Sequence, residues 1–311
     1  GSALKISQIA KSVNKNCNVI WGGPHATIDT DRVLQNNAVD FVVRGEGEIT
    51  LKNLIDLLLK DKNDFRKDLQ NIEGLSYKIG SQIFHNPDRA LIKDLDGLAF
   101  IEKDKIFFKN RYLPSSWGDI ITSRGCPFTC GYCSAHNTWT YKVRYRSVPK
   151  ILEEIGAIIA RYNTKEFYFW DDNFTLDRDR TLEFCHLLEQ KKMHISWGCT
   201  TRVDLLNDLL IKEIKKAGCN YISIGIETGS ERILKNIHKG ITLEKANLAV
   251  DLLNKHSLKY EAFFMVGFPE ETQEDIKETM SFMKQLNNAK ICFSIFTPYP
   301  CTEQYEIARE Y

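Results

Sequence analysis

From residue 119 onward the chain repeats one unit, in which an apolar run is followed by a loop with polar residues and then by an amphipathic helix. Apolar runs without alternation are typical of parallel strands that are buried on both faces of a sheet. Helices are predicted to begin at residues that cap well, such as Ser147 and Asp204, and Thr272 with Asp275 has the pattern of a capping box. We therefore predict an α/β fold that ends in an open (β/α)6 barrel of partial TIM type over residues 118–311. The predicted strands are 120–122, 167–170, 195–197, 222–226, 262–266 and 291–296.

Polar residues follow these predicted strands at the points where they end. In parallel barrels the carboxyl ends of the strands meet at one rim, and active sites lie there. Each residue has a structural alternative, such as a helix cap for Asp171 or Glu227 and a surface pair with Asp204 for Arg202. Their common position predicts one site. Besides the cysteine loop described next, this rim carries Asp171, Asp172, Asn173, Arg202, Glu227 and Gly267.

The loop after the first predicted strand carries Cys126, Cys130 and Cys133 at C-x3-C-x2-C spacing. Thiolates at such spacing can converge on one metal centre. Structural zinc sites and common iron–sulfur clusters both use four protein ligands, so three cysteines suggest a [4Fe–4S] cluster with one iron open to an exogenous ligand. Two alternatives stay open, a zinc site with His136 as fourth ligand and a chance grouping of buried thiols.

The first ninety residues predict a separate, smaller α/β domain. Apolar runs at 19–21 and 41–43 each end in a glycine-rich turn, and a helical pattern covers 51–59. Such alternation predicts a partial doubly wound, Rossmann-like domain over residues 1–92, in which ligands lie outside the carboxyl ends of the strands. Gly22, Gly23 and His25 occupy the first of these turns. A hairpin is predicted within 73–92, and residues 93–117 are predicted to link the domains.

Composition limits the class of partner. With 43% hydrophobic and 27% charged residues the chain is typical of a soluble protein, and a net charge of +1 gives no electrostatic basis for binding nucleic acid or an anionic membrane. No apolar run approaches the length of a membrane span, and the sequence does not open on a signal peptide. The nine cysteines form no disulfide framework, so we expect a reduced, cytoplasmic protein.

The cysteine loop resembles that of the radical SAM superfamily, in which an aromatic residue, here Tyr132, precedes the third cysteine and is expected to contact the cofactor. The resemblance implies that S-adenosylmethionine (SAM) chelates the open iron, and that one-electron reduction releases methionine and a 5′-deoxyadenosyl radical. It also implies roles at matching positions. Asp171, Asp172 and Asn173 would meet the SAM amino group, and Arg202 the carboxylate. Glu227 would contact the ribose or methionine, and the turn at Gly267 the adenine.

The front of the chain, GGPHAT followed by VDFVVRGEGE, resembles the cobalamin-binding domain of one large radical SAM subfamily, the class B methyltransferase type. Gly22, Gly23 and His25 would then approach cobalamin. That domain begins with further βα units in the family, so the chain looks truncated at its N-terminus. It also lacks the D-x-H-x-x-G motif whose histidine binds cobalt in some relatives.

The resemblance implies an enzyme that methylates an unactivated carbon of a small molecule with cobalamin. A flavodoxin or ferredoxin would donate electrons. Three alternatives remain: radical cyclisation or rearrangement without methyl transfer, a core whose front domain has lost cobalamin, and a non-catalytic zinc-binding module.

Overall fold

The computed structural model describes residues 2–60, 65–105 and 108–310. The chain divides into two compact units, which we describe separately. The first unit comprises Gly1–Lys93 with Ser134–Thr140, and the second comprises Asp94–Cys133 with Tyr141–Tyr311. The predicted linker was 93–117, and residues 94–117 are grouped with the second unit, where they contain short 3-10 turns at Lys103–Lys105, Lys109–Arg111 and Pro114–Gly118.

The first unit contains a small sheet. Within the described residues its strands lie in the order β1-β2-β3-β4, with β1 and β2 parallel and the others antiparallel. The two glycine-rich turns follow β1 and β2, and β3 and β4 form the predicted hairpin. The elements are α1 (Ser2–Val13), β1 (Ile20–Gly22), α2 (Pro24–Ile28), α3 (Thr30–Leu34), β2 (Phe41–Val43), α4 (Gly47–Leu59), α5 (Phe65–Asp68), a 3-10 turn (Leu69–Asn71), β3 (Leu75–Ile79), β4 (Gln82–His85) and, later in the chain, α6 (Ala135–Trp139).

The second unit contains the barrel sheet. Its described residues form six parallel strands in the order β12-β11-β10-β9-β8-β5, with helices in the connections, so the predicted (β/α)6 architecture is confirmed. The elements are β5 (Asp119–Ile120), β6 (Ser123–Arg124), β7 (Arg144–Tyr145), α7 (Val148–Tyr162), β8 (Glu166–Phe169), α8 (Arg178–Gln190), β9 (Ser196–Arg202), a 3-10 turn (Val203–Leu205), α9 (Asp208–Lys216), β10 (Cys219–Glu227), α10 (Glu231–Asn236), α11 (Leu243–Lys255), β11 (Lys259–Val266), α12 (Gln273–Gln285), β12 (Ala289–Ile295) and α13 (Glu303–Ala308).

Aromatic packing fills the core of the second unit behind the strand ends. The rings of Phe169, Phe174, Phe184 and Trp197 contact one another with centroids 4.7 to 5.6 Å apart, mostly in tilted or edge-on arrangements. These arrangements suit ring quadrupoles and add to the apolar area removed from water. Phe169 ends β8 and Phe174 follows the Asp171–Asn173 segment, so this core anchors both ends of that segment. Among the described residues, no helix has the length and apolarity needed to cross a bilayer.

One predicted helix start was wrong. Asp204 lies in the 3-10 turn after β9, and α9 begins four residues later, where the Asn207 side chain accepts from the Leu210 backbone N–H. The Asp204 carboxylate pairs with the Arg202 guanidinium, and this ion pair replaces the helix-capping hydrogen bond that was predicted for Asp204. The capping box of α12 is confirmed, since Thr272 and Asp275 bond reciprocally.

Asp275 also anchors a buried network beyond this cap. Its side chain accepts hydrogen bonds from Ser230 Oγ at 2.7 Å, from Thr272 Oγ1 at 2.6 Å and from the Arg232 guanidinium. The Arg232 hydrogen bond is the main reason that the pKa of Asp275 lies below its ordinary value. A lowered pKa stabilises the fold fully above the unfolded-state pKa, and the contribution is lost as the pH falls through the folded-state pKa.

Replacing Asp275 with asparagine should therefore lower the free energy of unfolding at pH 7 by about 1–3 kcal/mol. The deficit relative to the wild type should shrink below about pH 4, where the Asp275 carboxylate of the unfolded wild type begins to take up a proton. Urea unfolding at pH 7 and at pH 3 measures both values. Glu274→Gln, at a neighbouring exposed site, is the control and should change little. An equal deficit at both pH values would contradict the charge-based explanation.

Candidate active site at the cysteine loop

The glycine-rich turns of the first unit lie side by side at the carboxyl ends of β1 and β2. Thr27 Oγ1 donates to the Gly23 carbonyl and accepts from the Gly45 N–H, both at 3.0 Å, which joins the two turns. Gly23 has φ 89°, and a Cβ placed there would meet no atom within 4 Å. Gly22, Gly23 and His25 are exposed, so this edge is accessible to a ligand. Their contact with cobalamin stays a prediction.

In the second unit, a short ladder and one glycine determine how the cysteine loop begins. Ser123 and Arg124 in β6 pair with β7, and Gly125 follows with φ 106°. A Cβ at Gly125 would lie 2.5 Å from the Lys142 carbonyl oxygen, a distance that no side chain tolerates. Only glycine fits this position, both by conformation and by space.

The other end of the loop is held by two later segments of the chain. The Gly131 N–H donates to the Ile237 carbonyl at 2.8 Å, and the Gln304 N–H donates to the Gly131 carbonyl at 2.9 Å. A Cβ at Gly131 would lie 2.7 Å from Glu303 Oε2. The loop is thus fixed at both ends by contacts within the chain.

Two cysteine sulfurs accept hydrogen bonds from residues near the carboxyl ends of other strands, Asn173 after β8 and Arg202 at the end of β9. Asn173 Nδ2 lies 3.4 Å from Cys126 Sγ, and Arg202 Nη1 lies 3.6 Å from Cys130 Sγ. Burial raises the pKa of the Cys126 thiol, while the Arg202 charge opposes that rise. N–H donors and a nearby cation stabilise thiolates, which are the form that binds metals. Asn173 and Arg202 therefore lie against the cysteine loop, and a single site shared by all the rim residues stays a prediction.

Three thiolates are one ligand fewer than a structural zinc site uses, and a [4Fe–4S] cluster that keeps one iron open would use such a set. The described residues contain no group of three or more His, Cys, Asp or Glu side chains arranged to hold one metal ion. A zinc ion needs every ligand within about 2.3 Å of one point, whereas a cluster separates its ligands by its own width.

Asp171 is buried and accepts hydrogen bonds from the residues that lead into the cysteine loop. It is 2% exposed, and its carboxylate accepts from the Thr122 N–H at 2.6 Å, from Thr122 Oγ1 at 2.5 Å and from Ser123 Oγ at 2.7 Å. Burial raises its pKa, and these hydrogen bonds act against the rise. Arg180 Nη2 donates to the Thr122 carbonyl at 3.1 Å. Both oxygens of Asp171 are thus engaged by the segment that leads into the cysteine loop, so the geometry does not favour the predicted contact with the SAM amino group.

The two residues that follow Asp171 differ from each other in exposure. Asp172 is exposed, and partial desolvation followed by the Asp171 charge raises its pKa. Asn173 is buried and directed at Cys126. Asp172 is therefore the carboxylate of this segment that is open to a ligand.

Each of the three guanidinium nitrogens of Arg202 has a partner in this structure. Its Nε and Nη2 donate to the two Asp204 oxygens at 2.9 and 3.1 Å, its Nη1 faces Cys130, and its guanidinium lies 3.7 Å from the Phe128 ring centroid. A bidentate pair with the SAM carboxylate would require Asp204 to leave. Arg202 is 5% exposed and acts here as a fixed positive charge beside the loop.

Glu227 ends β10, and Gly267 directly follows β11. Glu227 is 6% exposed, has φ 75° after an irregularity in β10, and pairs with Lys239 at 2.6 Å. Gly267 has φ 88°, and its N–H donates to Glu271, a residue whose pKa is raised by burial. Sequence reasoning missed Lys239, because a single lysine after a helix looks like a surface residue. It also missed Thr122 and Arg180, which no spacing connects to Asp171.

Two family models match the chain. The model of the radical SAM superfamily matches residues 120–283, and the model of the B12 binding domain matches residues 1–55. The first match covers the barrel sheet from β5 into α12 and includes the cysteine loop. The second covers the two glycine-rich turns of the first unit.

Proteins of similar sequence and structure agree with these matches. The chain is 37% identical to an uncharacterized methyltransferase of Pyrococcus horikoshii, over 98% of this chain and 66% of that protein. It is 31% identical to the anaerobic magnesium-protoporphyrin IX monomethyl ester cyclase of Rubrivivax gelatinosus, over 98% and 55%. The chain therefore spans about half to two thirds of these relatives' lengths.

Among solved structures, the fold is similar to that of the radical S-adenosylmethionine methyltransferase TsrM of Kitasatospora setae, which was solved with cobalamin and a [4Fe–4S] cluster bound. The TM-score is 0.83 at 15% identity, over 99% of this chain and 63% of that chain. At this identity the likeness shows the fold alone.

Proposed function

Because the chain belongs to the radical SAM superfamily, we propose that it cleaves SAM reductively at a [4Fe–4S] cluster held by Cys126, Cys130 and Cys133. The cluster, when bound, would supply the electron for this cleavage and an open iron for SAM. The observation that carries the proposal is the pair of N–H donors, from Asn173 and Arg202, on the sulfurs of Cys126 and Cys130. Donors from two separate strand ends supply the environment that thiolate ligands need.

The residues of the rim then orient SAM. Asp172 presents the exposed carboxylate of its segment and would attract the SAM amino group. Arg202 would act on the SAM carboxylate through its charge, because its nitrogens are engaged by Asp204 and Cys130. Glu227 would accept from the ribose hydroxyls, and the backbone of the Gly267 turn would border the adenine. Asp171 would position the cysteine loop without touching SAM.

The favoured outcome is methylation of an unactivated carbon in a small molecule, with cobalamin held by the first unit near Gly22, Gly23 and His25. The match of residues 1–55 to the B12 binding domain supports the cofactor, and the methyltransferase relative supports the reaction. The electron would come from a flavodoxin or ferredoxin. A reducing cytoplasm would provide that donor and keep the cysteines reduced.

A second outcome, radical ring closure without methyl transfer, is favoured by the similarity to the cyclase. The two outcomes differ in the fate of the SAM methyl group. With SAM labelled in that methyl, methylation places the label in the product or in cobalamin, whereas ring closure leaves it in methionine.

Anaerobic reconstitution with iron and sulfide tests the proposal. We expect a brown protein with about four irons per chain that releases 5′-deoxyadenosine from SAM under reducing conditions. Titration with cobalamin then tests the first unit separately. A colourless protein that holds zinc and leaves SAM intact would refute the proposal in favour of the zinc-binding module.

A further inference from the structure

Three polar side chains meet beneath the rim at the end of β10. Lys239 Nζ lies 2.6 Å from Glu227 Oε1 and 3.0 Å from the Tyr132 hydroxyl oxygen. Lys239 is 5% exposed and Glu227 6%. Lysine and glutamate are almost never buried to this extent unless they are paired, because removing either charge from water is costly. The burial of Lys239 and Glu227 as an ion pair therefore calls for a functional explanation.

The backbone is shaped around this ion pair. Gly225 leaves the space that the pair occupies, since a Cβ there would lie 2.4 Å from Glu227 Oε1 and 2.9 Å from Lys239 Nζ. Glu227 has φ 75°, a conformation that residues other than glycine seldom adopt. Lys239 stands between His238 and Gly240, which also have positive φ values of 50° and 71°. Such strain concentrates at sites where function requires it.

The segment that carries Lys239 also holds the cysteine loop. The Ile237 carbonyl accepts a hydrogen bond from the Gly131 N–H of the cysteine loop. Two residues after Ile237, the Lys239 side chain donates to the hydroxyl of Tyr132, the residue that follows Gly131. Tyr132 packs in turn against Phe268, with ring centroids 6.0 Å apart. Lys239 thus connects two parts of the rim that are far apart in the sequence.

A purely structural role would be served better by apolar side chains, since replacing a buried ion pair with apolar groups is often neutral or stabilising. A carboxylate has about four lone-pair positions, and the Lys239 bond uses one of them on Oε1. A carboxylate held by a cation in a fixed orientation is suited to accept from the vicinal hydroxyls of a ribose, because these bonds are charge-assisted.

We infer that Lys239 is a positioning residue for the nucleoside end of SAM, which holds the Glu227 carboxylate and the Tyr132 ring in their binding positions. This inference rests on the proposed function, in which Glu227 meets the ribose. Lys239 would act on SAM only through Glu227 and Tyr132, which it contacts.

The test compares Lys239→Met, Lys239→Arg and Lys235→Met in the reconstituted, cluster-loaded chain. Lys235 is exposed on α10 and serves as the matched control. We expect the dissociation constant for SAM to rise about 10- to 100-fold in Lys239→Met, because a buried carboxylate loses its charged partner. Lys239→Arg should restore part of the affinity, and Lys235→Met should match the wild type. Iron content and the turnover at saturating SAM should stay within about threefold, so the effect appears in KM and not in kcat.

Wild-type affinity for SAM in Lys239→Met would overturn the inference, as would an equal loss in the methionine and arginine variants. A fall in iron content that accounts for the lost affinity would also overturn it, because Lys239 would then support only the cluster loop. Should Lys239→Met not fold, Gly225→Ala displaces the ion pair without removing a charge, and the same weakening of SAM binding is expected. A wild-type chain that binds a cluster but not SAM would refute the proposed function itself, which is a separate result.

Discussion

Replacing Cys130 with serine is expected to abolish cluster binding and, with it, SAM cleavage. Cys130 is the most buried of the three cysteines and the one whose sulfur faces Arg202. Three protein ligands are already one fewer than common clusters use, so the loss of another leaves two. We expect iron content to fall to background and 5′-deoxyadenosine release to fall at least about 10³-fold, toward the uncatalysed rate. Iron analysis and product assay under anaerobic conditions measure both.

Cys17→Ser is the matched control for this experiment. Cys17 is a half-buried cysteine of the first unit, outside the cysteine loop, so its variant should reconstitute like the wild type. Equal iron and equal SAM cleavage in Cys130→Ser and Cys17→Ser would disprove the ligand assignment.

Replacing Gly125 with alanine should disable the site without unfolding the barrel. The new Cβ would lie 2.5 Å from the Lys142 carbonyl oxygen and 3.1 Å from the Val143 Cα, and these backbone atoms cannot yield as a flexible side chain would. The φ of 106° adds conformational strain. The start of the cysteine loop must therefore move, and a shift of about 1 Å at reacting groups can cost about 10²-fold in rate. We expect loss of most of the iron and a drop of at least that size in SAM cleavage.

Gly156→Ala is the control, because a Cβ at this position in α7 would meet no atom within 4 Å. Alanine in a helix interior should raise the free energy of unfolding by about 0.5–1 kcal/mol and leave the site unchanged. Thermal unfolding and iron content distinguish the two variants. A Gly125→Ala protein with normal iron and normal activity would show that the ladder between β6 and β7 does not position the loop.

Much of the fold could be predicted because its signals are local. The apolar runs at 167–170, 222–226 and 262–266 became β8, β10 and β11, since strands buried on both faces need continuous apolar side chains. The capping box of Thr272 and Asp275 depends on residues three positions apart, and the structure contains it. The spacing of Cys126, Cys130 and Cys133 is equally local, and it is the most specific part of the resemblance to the radical SAM superfamily.

The roles of individual rim residues were decided by tertiary contacts. Asp171 and Asp172 are neighbours in the sequence, yet one is buried on Thr122 and Ser123 and the other is exposed, because residue direction alternates where β8 ends. No sequence pattern indicated a role for Lys239, since only folding brings it to Glu227 and Tyr132. The sequence by itself determined which residues line up at the strand ends and which sulfurs are available. Only the tertiary structure decided which of those side chains face a ligand and which hold one another, because burial and pairing depend on neighbours that lie far away along the chain.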